Sequence, residues 1–454
     1  MSSEKVKRLT LFGLTWPIFI EIFLHMLMGN ADTLMLSQYS DKAVAAVGVS
    51  NQVLSVVIVM FGFVAQGAAI LIAQNLGAKN NQQAGEISAL SISLNLLFSL
   101  FLSVGLFFGA KTILQFMDLP HEIMGEASSY MQIVGGLIFI QALIMTLGAI
   151  LRSYGYTKDT MNVTIGMNIL NVMGNYLVIF GPFGFPVLGV EGVAYSTAIS
   201  RFIGVIVLFY LFWKRNSDEI KIGYFFRYQK QYVKRLLQIG IPSAGEQISY
   251  NASQMVITYF VAQLGTIAIT TKVYAQNIMM FIFLFSIAIG QGTQILVGHL
   301  VGAGDMEAAY KRVMKSLKIS IVVSLSMATI VYFYSKPLLG IFTDDTTILE
   351  TGAWLLLMTI VLEPGRAFNL IMISSLRAAG DVKFPVYIGV AVMWGIGVTF
   401  AWFFAIYLNL GLMGIWISFI ADEWLRGLFM LRRWKQRNWV SMSFVQLGKK
   451  QDSV

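Results

Sequence analysis

The first long apolar stretch of the chain carries three ionisable side chains that fall on one helical face. In an α-helix, Glu21, His25 and Asp32 lie within about 40° of one another. A stripe of two carboxylates and an imidazole can carry protons or hold a small cation, and each such group in a membrane span costs roughly 2.5–3.5 kcal/mol. We therefore predict Asp32, Glu21 and His25 as cation-coupling residues facing the protein interior. The alternatives are that Glu21 lies at the membrane interface and that His25 is a hydrogen-bonded packing residue.

Amide side chains recur along the fifth apolar stretch. Asn168, Asn171 and Asn175 fall within about 60° of arc on a helix. Amides inside a membrane hold helices together for roughly 0.6 kcal/mol each, and they can equally complete an ion site. We keep both interpretations and predict Asn171 and Asn175 as partners of Asp32.

Polar groups also interrupt apolar stretches in the second half of the chain. Glu246 lies near the start of the seventh stretch, where a carboxylate could sit either at the interface or in a cleft. Glu363 and Arg366 have the i,i+3 spacing that allows a salt bridge, so they either neutralise each other or face a substrate. The predicted substrate-cleft residues are Glu246, Tyr250, Gln254, Glu363 and Arg366.

Catalytic and metal-binding motifs are missing from the sequence. There is no cysteine, which excludes thiolate catalysis and a disulfide framework. The three histidines are scattered, and HExxH, GxSxG and P-loop motifs do not occur. We therefore expect no enzymatic activity, no metal site and no cofactor, only a coupling ion, H⁺ or Na⁺. The net charge of +9 is spread over short tracts, so we expect no nucleic-acid partner.

The composition indicates a membrane protein. Of 454 residues, 57% are hydrophobic and 12% charged, whereas a soluble protein carries about 25% charged residues. A membrane-spanning helix needs roughly 20 mostly apolar residues, and backbone groups within lipid must be paired inside each span. An all-α transmembrane fold of twelve helices follows. The predicted spans are 10–36, 45–77, 87–112, 126–151, 160–181, 188–213, 236–263, 270–301, 315–338, 350–376, 384–408 and 411–432.

The basic residues orient these spans. If the N-terminus lies inside, 26 of the 32 lysines and arginines fall in inside segments, four fall outside, and Arg201 and Arg366 fall within spans. We therefore predict a multi-pass protein of the bacterial inner (plasma) membrane with both termini cytoplasmic. Membrane lipids and small organic molecules are its expected partners, and we expect a monomer.

The two halves of the sequence repeat at a constant spacing. Glu21 matches Glu246, and Leu151-Arg152 matches Leu376-Arg377. We call the shared spacing, from position 21 to position 246, the repeat offset. Because each half has an even number of spans, we predict two six-helix lobes related by a pseudo-twofold axis along the membrane normal. The predicted segments are an N-lobe at 1–213, a cytoplasmic linker at 214–235, a C-lobe at 236–437 and a cytoplasmic tail at 438–454.

Several motifs in order resemble the multidrug and toxic compound extrusion (MATE) family. Trp16-Pro17 opens the first span and Asp32 follows fifteen residues on. Two "LRxxG" loops occur, one in each half. The motifs that carry the resemblance are Trp16-Pro17, Gln66-Gly67-Ala68, Gly77-Ala78, Leu151-Arg152-Ser153-Tyr154-Gly155, Asn171 to Gly181, Gly189-Val190-Glu191-Gly192 and Leu376-Arg377-Ala378-Ala379-Gly380.

The resemblance implies a secondary antiporter that expels organic, often cationic, compounds by alternating access while H⁺ or Na⁺ flows inward. Asp32 matches the coupling aspartate of the family. Asn175 stands where many members have an aspartate, and Tyr250 stands where one branch has a glutamate. These departures favour proton coupling. The alternatives are a lipid-linked precursor flippase or another twelve-span secondary transporter.

Overall fold

The computed structural model describes residues 9–217 and 219–445, without the side chain of Phe183. Within this part of the chain the secondary structure is helical, with no strand. Long apolar stretches form helices because each backbone N–H then bonds within its own segment. An all-α fold is therefore confirmed.

The first half contains seven helices. The helices at the third and fourth predicted spans begin at Asn81 and His121, earlier than the predicted positions 87 and 126. These are α1 (Leu11–Ser37), α2 (Asp41–Gly77), α3 (Asn81–Phe116), α4 (His121–Tyr130), α5 (Ile138–Ser153), α6 (Thr157–Phe180) and α7 (Gly189–Asn216). A π-helical turn, Met131–Gly135, follows α4, and the segment bends by 42° before α5.

The second half follows a similar order with different interruptions. Its helices are α8 (Lys230–Gln263), α9 (Thr266–Gly302), α10 (Met306–Phe333), α11 (Ser335–Gly340), α12 (Thr346–Ala379), α13 (Lys383–Val392), α14 (Thr399–Trp402) and α15 (Gly411–Lys435). The π-helical segments Met393–Val398 and Phe403–Tyr407 flank α14. Here α12 is continuous, although it contains Pro364.

Helix starts repeat along the chain. The first residues of α2 and α9, of α3 and α10, and of α4 and α12 are each separated by the repeat offset. The glycines of the two "LRxxG" loops share a conformation, since Gly155 has φ 88° and Gly380 has φ 103°. A glycine tolerates this left-handed region at a helix end without steric cost. At Gly380 a side chain would also collide with the carbonyl oxygen of Met442.

Fewer helices than predicted are both long and apolar. In the described residues nine helices could cross a membrane by length and composition, or ten when the bent segment from α4 to α5 is one span. The remaining long helices, α8 and α15, fail this test; α8 starts with Lys230, Lys234 and Arg235, and α15 contains five charged residues before Lys435. The protein is therefore a multi-pass membrane protein, and the prediction of twelve apolar spans is met only in part.

The chain divides into two compact units. The first comprises Trp16–Leu76 and Asn80–Gly240, and the second comprises Ile241 onward with short pieces of the earlier chain. The core of the first unit includes Leu36, Phe61 and Met131. The core of the second includes Leu355 and Trp416. The predicted lobe boundaries stay a prediction.

The described residues of the predicted linker, 214–217 and 219–235, belong to the first unit and contact α3. Its 3₁₀ turn, Ile222–Phe226, accepts a hydrogen bond from Ser93 of α3 at the Phe225 carbonyl (2.8 Å). Gln229 donates to Glu86 of the same helix at 2.9 Å. The linker is thus held to α3 by specific polar contacts.

The start of the predicted tail packs against α15. Trp439 is fully buried, and its ring stacks on Trp434 with centroids 4.1 Å apart. Its Nε1 donates to the Trp434 carbonyl at 3.0 Å. The first eight residues and residues 446–454, to which the prediction of cytoplasmic termini also applies, lie outside the described residues.

Candidate functional site

Asp32 lies at the end of a chain of amide and hydroxyl groups that crosses three helices of the first unit. Asn175 of α6 donates from Nδ2 to Oδ1 of Asp32 at 2.6 Å. The same amide lies 3.4 Å from Oδ1 of Asn171, whose own Nδ2 donates to Thr197 of α7 at 3.2 Å. The structure therefore brings together Asp32, Asn171 and Asn175, and the amide of Asn175 orients the carboxylate.

Asp32 also faces a cavity of about 380 Å³ within the first unit. His25 lies on the same wall, one face of α1, and Asn51 and Ser55 come from α2. Tyr130 donates to Oδ1 of Asn51 at 3.4 Å. The cavity is lined by His25, Met28, Gly29, Asp32, Asn51, Leu54, Ser55, Ile58, Tyr130, Val134, Ile138, Gln141 and Arg201.

Arg201 of α7 is the charged lining residue of this cavity that the sequence interpretation did not assign to the site. Its side chain is half-buried, and its Nε atom is shielded from solvent without a hydrogen-bond partner in the described residues. In the described part of the chain it forms no ion pair. The available signal was an arginine inside an apolar stretch, which is costly in a membrane. That signal could not show that Arg201 and Asp32 share one cavity.

Glu21 is separated from the other two residues of its stripe. It accepts hydrogen bonds from Arg152 at 2.5 Å and from Thr160 at 2.9 Å, and it does not line the cavity. Glu21 precedes Asp32 by eleven residues, or about 16 Å along a helix. One helical face thus divides into an ion-paired end and a cavity end. The coupling roles of Glu21, His25 and Asp32 stay predictions.

The equivalent acid of the second unit makes the equivalent contact. Glu246 of α8 forms a hydrogen-bonded ion pair with Arg377 of α12. These two residues follow Glu21 and Arg152 by the repeat offset. A side chain at Gly389 of α13 would approach Glu246 Oε1 to 3.2 Å, so this glycine makes room for the carboxylate. Glu246 is therefore engaged by an arginine, and its substrate-cleft role stays a prediction.

Glu363 and Arg366 belong to a larger charge network between α12 and α15. Arg366 donates to Glu363 at 2.7 Å, which is the salt bridge that the spacing allowed. Glu363 is fully buried, and its Oε2 atom has no hydrogen-bond partner among the described residues. Arg366 also lies 3.7 Å from Glu423.

The rest of this network lies on α15. Arg426 contacts Asp422 at 2.5 Å and Glu423 at 3.1 Å. Asn369 of α12 donates to Glu423 at 2.8 Å. The network therefore contains three carboxylates and two guanidinium groups, and it carries one negative charge when all five are ionised.

Tyr250 and Gln254 are less engaged than the other predicted cleft residues. Tyr250 lies within electrostatic reach of Arg366, Glu423 and Arg426. Gln254 is half-buried and makes no side-chain hydrogen bond to another described residue. Their predicted contact with a substrate stays a prediction. Among the described residues, no group of three or more histidine, aspartate or glutamate side chains could hold a metal ion.

Known proteins resemble this chain over nearly its full length. It is 56% identical to the "Uncharacterized transporter YisQ" of Bacillus subtilis over 434 residues, which cover 96% of this chain and 95% of the relative. It is 30% identical to the "Probable multidrug resistance protein NorM" of Thermotoga maritima over 438 residues, covering 95% of this chain and 94% of the relative.

Solved structures share the fold. A MATE family transporter in an outward-facing conformation superposes with a TM-score of 0.85 at 20% identity, covering 94% of this chain and 95% of the other. A MATE structure in a bent conformation gives 0.86, also at 20% identity, with 94% of each chain covered. The MatE family model matches twice, at residues 17–177 and 242–403, so that the two matches start one repeat offset apart. The chain therefore belongs to the MatE family, the MATE family of multidrug efflux transporters.

Proposed function

We propose that this protein is a proton-coupled antiporter that exports organic, often cationic, compounds by alternating access of two six-helix lobes. The observation that carries the proposal is Asp32 at the wall of a cavity inside the first unit. Asn175 engages one carboxylate oxygen. The other oxygen accepts no hydrogen bond from the described residues, so it can receive either a proton or a positively charged passenger.

The surroundings of Asp32 favour a proton over Na⁺. Hard metal cations are bound by several oxygen atoms, whereas Asn175 presents its N–H group to Asp32. Arg201 adds a positive charge to the same cavity. That charge repels a metal ion, but it opposes a neutral protonated carboxyl far less.

The twelve-span arrangement needs α8 and α15 in the membrane as well. With 34 and 25 residues, these helices extend about 51 and 37 Å, which exceeds the roughly 30 Å hydrocarbon core. Buried ion pairs of Glu246, Asp422 and Arg426 reduce the cost of their charges. The sequence repeat then supports two lobes of six spans each.

The proposed cycle alternates the charge of Asp32. The ionised carboxylate attracts a cation into the cavity, and a proton arriving from outside removes that charge and releases the passenger. Pro17 lies within α1 and has no N–H group, so it weakens the helix near its start. The helix can therefore shift when the charge of Asp32 changes.

The test is transport by purified protein in liposomes. A pH gradient should drive uptake of a fluorescent organic cation, and a sodium gradient of equal size should not. Asp32→Asn should lower proton-driven uptake to the level of empty liposomes. Asp118→Asn, the same change at an exposed loop residue of the first unit, is the matched control and should transport normally. Full uptake by Asp32→Asn would overturn the proposal.

A further inference from the structure

The surface of helices α6 and α7 contains a groove that is separate from the cavity of Asp32. Its volume is about 400 Å³, and none of the described residues lines both spaces. The groove extends from Asp159 to Leu170 on α6 and from Ile203 to Leu211 on α7. Eleven residues of an α-helix extend about 16 Å, which is close to half of the roughly 30 Å hydrocarbon core. The groove therefore spans the depth of about one membrane leaflet.

Two glycines shape this groove. A Cβ atom at Gly166 would meet no atom within 4 Å, whereas a Cβ atom at Gly204 would collide with the sulfur of Met167. Gly166 thus leaves free space at the surface, and Gly204 lets Met167 lie close against α7. Leu170 and Val207 on the two walls are 41% and 39% exposed. Because both helices are long and apolar enough to cross a membrane, the groove is open to lipid.

Basic side chains lie at one end of the groove. The first turn of α6 and the last turn of α7 meet there, since Arg215 donates to Asp159 at 3.0 Å. Arg215 thereby offsets the negative charge of Asp159. Lys158 and Lys214 are exposed, and neither forms an ion pair within the described part of the chain. This end therefore carries two positive charges without a counter-charge, on the side predicted to be cytoplasmic.

The two lysines continue the walls of the groove. Lys158 precedes the lining residue Asn162 by four positions, and Lys214 follows the lining residue Leu211 by three. Residues at these spacings are neighbours on one face of a helix. Asn162 is itself exposed and makes no side-chain hydrogen bond to another described residue, although a polar group removed from water needs a partner. The same end thus presents two ammonium groups and one amide.

From this arrangement we infer that the groove binds one anionic phospholipid of the cytoplasmic leaflet. Lys158 and Lys214 bind the phosphate, and Asn162 donates to an ester carbonyl of the lipid. One acyl chain lies along the apolar walls past Gly166. Lysines at the membrane surface attract anionic lipids, whereas a headgroup without net charge would leave the two lysines uncompensated. The inference goes beyond the proposed function, because it concerns a lipid on the surface of the first unit and not a transported compound.

Native mass spectrometry of the full-length protein in detergent tests the inference, because it counts bound lipids and gives the affinity of the first one. The probes are phosphatidylglycerol, phosphatidylcholine with the same acyl chains, and glycerol 3-phosphate, which has no chain. The wild type should bind phosphatidylglycerol at least about ten-fold more tightly than either other probe. Equal affinity for the two lipids, or equally tight binding of glycerol 3-phosphate, would overturn the inference.

A substitution that fills the groove tests the seat of the acyl chain. Gly166→Leu should weaken the binding of both lipids by about ten-fold, because it displaces buried methylene groups of the chain. Gly105→Leu on α3 is the matched control, since a Cβ atom there also meets no atom within 4 Å and Gly105 does not line the groove. It should bind both lipids as the wild type does. Unchanged binding by Gly166→Leu would contradict the inference.

A second pair of variants tests the charged end. Lys158→Gln combined with Lys214→Gln should lower the affinity for phosphatidylglycerol by about ten-fold and leave that for phosphatidylcholine unchanged. Lys111→Gln combined with Lys336→Gln removes the same charge from two exposed lysines elsewhere and is the control. An equal loss in both double variants would refute the headgroup assignment.

The same spectra report whether a second copy of the chain covers the groove instead of a lipid. The inference predicts that Gly166→Leu changes the number of bound lipids and leaves the oligomeric state of the wild type unchanged. A dimer that is present in the wild type and in Gly105→Leu but lost in Gly166→Leu would overturn the inference.

Discussion

Asp32 in the first unit and Glu363 in the second are both buried acids in membrane helices, but their surroundings differ. Asp32 accepts a hydrogen bond from a neutral amide and shares a cavity with an arginine with which it forms no ion pair. Glu363 lies at the end of a five-charge network whose members contact one another.

The difference separates two uses of buried charge. In the second unit the opposite charges of α12 and α15 contact one another, and a buried network of this kind holds the two helices in one arrangement. In the first unit Asp32 and Arg201 line one cavity without forming an ion pair. The repeat thus supplies similar helices to both units, but Asp32 and Arg201 of the first unit stay apart around a cavity, whereas the charges between α12 and α15 contact one another.

The largest effect on stability is expected from a substitution that breaks the charge network between α12 and α15. Arg426→Met leaves Asp422 and Glu423 without their shared partner, and removing one member of a buried pair costs about 3–5 kcal/mol. Arg201→Met removes a charge that has no ion-pair partner among the described residues, so stability should stay equal or increase. Thermal unfolding of both variants in detergent measures the contrast.

The control for the comparison of Arg426→Met with Arg201→Met also removes the two carboxylate charges that lose their partner. Arg426→Met combined with Glu423→Gln and Asp422→Asn should recover part of the lost stability. Similar melting temperatures for Arg426→Met and Arg201→Met would show that the two charge groups do not differ in the way described.

An intermediate effect is expected from the amide beside Asp32. Asn175→Leu removes the 2.6 Å hydrogen bond to the carboxylate, and hydrogen bonds to charged groups contribute about 1.5–3 kcal/mol. Proton-driven uptake in liposomes should therefore fall by roughly ten-fold or more. Asn168→Leu is the matched control on the same helix, because the Asn168 side chain bonds, among the described residues, only to the Thr164 carbonyl of α6. Equal losses of proton-driven uptake in both variants would show that Asn175 has no special role.

The smallest effect compares the repeated ion pairs. Glu21→Gln and Glu246→Gln each remove one charge from a partly shielded arginine pair, and each should cost about 1–3 kcal/mol. Both variants should keep proton-driven transport if the two pairs only hold each first helix to its "LRxxG" segment. Loss of transport in Glu21→Gln alone would instead support the coupling role predicted for Glu21.

Much of the fold was accessible from the sequence because its signals are local. A long apolar stretch predicts a membrane helix, because unpaired backbone groups are too costly in lipid. The repeat offset predicts that helices begin at equivalent positions in both halves. The positions of Gly155 and Gly380 follow from the left-handed turn that ends a helix. The pairing of Glu21 with Arg152 was also accessible in part, since an acid and an arginine recur at the equivalent positions of the second half.

The tertiary structure decided which charges meet. Helical periodicity placed Glu21, His25 and Asp32 on one face. Periodicity does not say which residues of a neighbouring helix lie at the same height, so it could not show that Arg152 engages Glu21. Nor could it show that Arg201, far along the chain, would line the cavity of Asp32 without forming an ion pair with it. The sequence by itself determined the helices, their repeat and their membrane character, because these depend on local backbone pairing and hydrophobicity. Partnership between charges depends on how distant helices pack, and only the folded chain determines that.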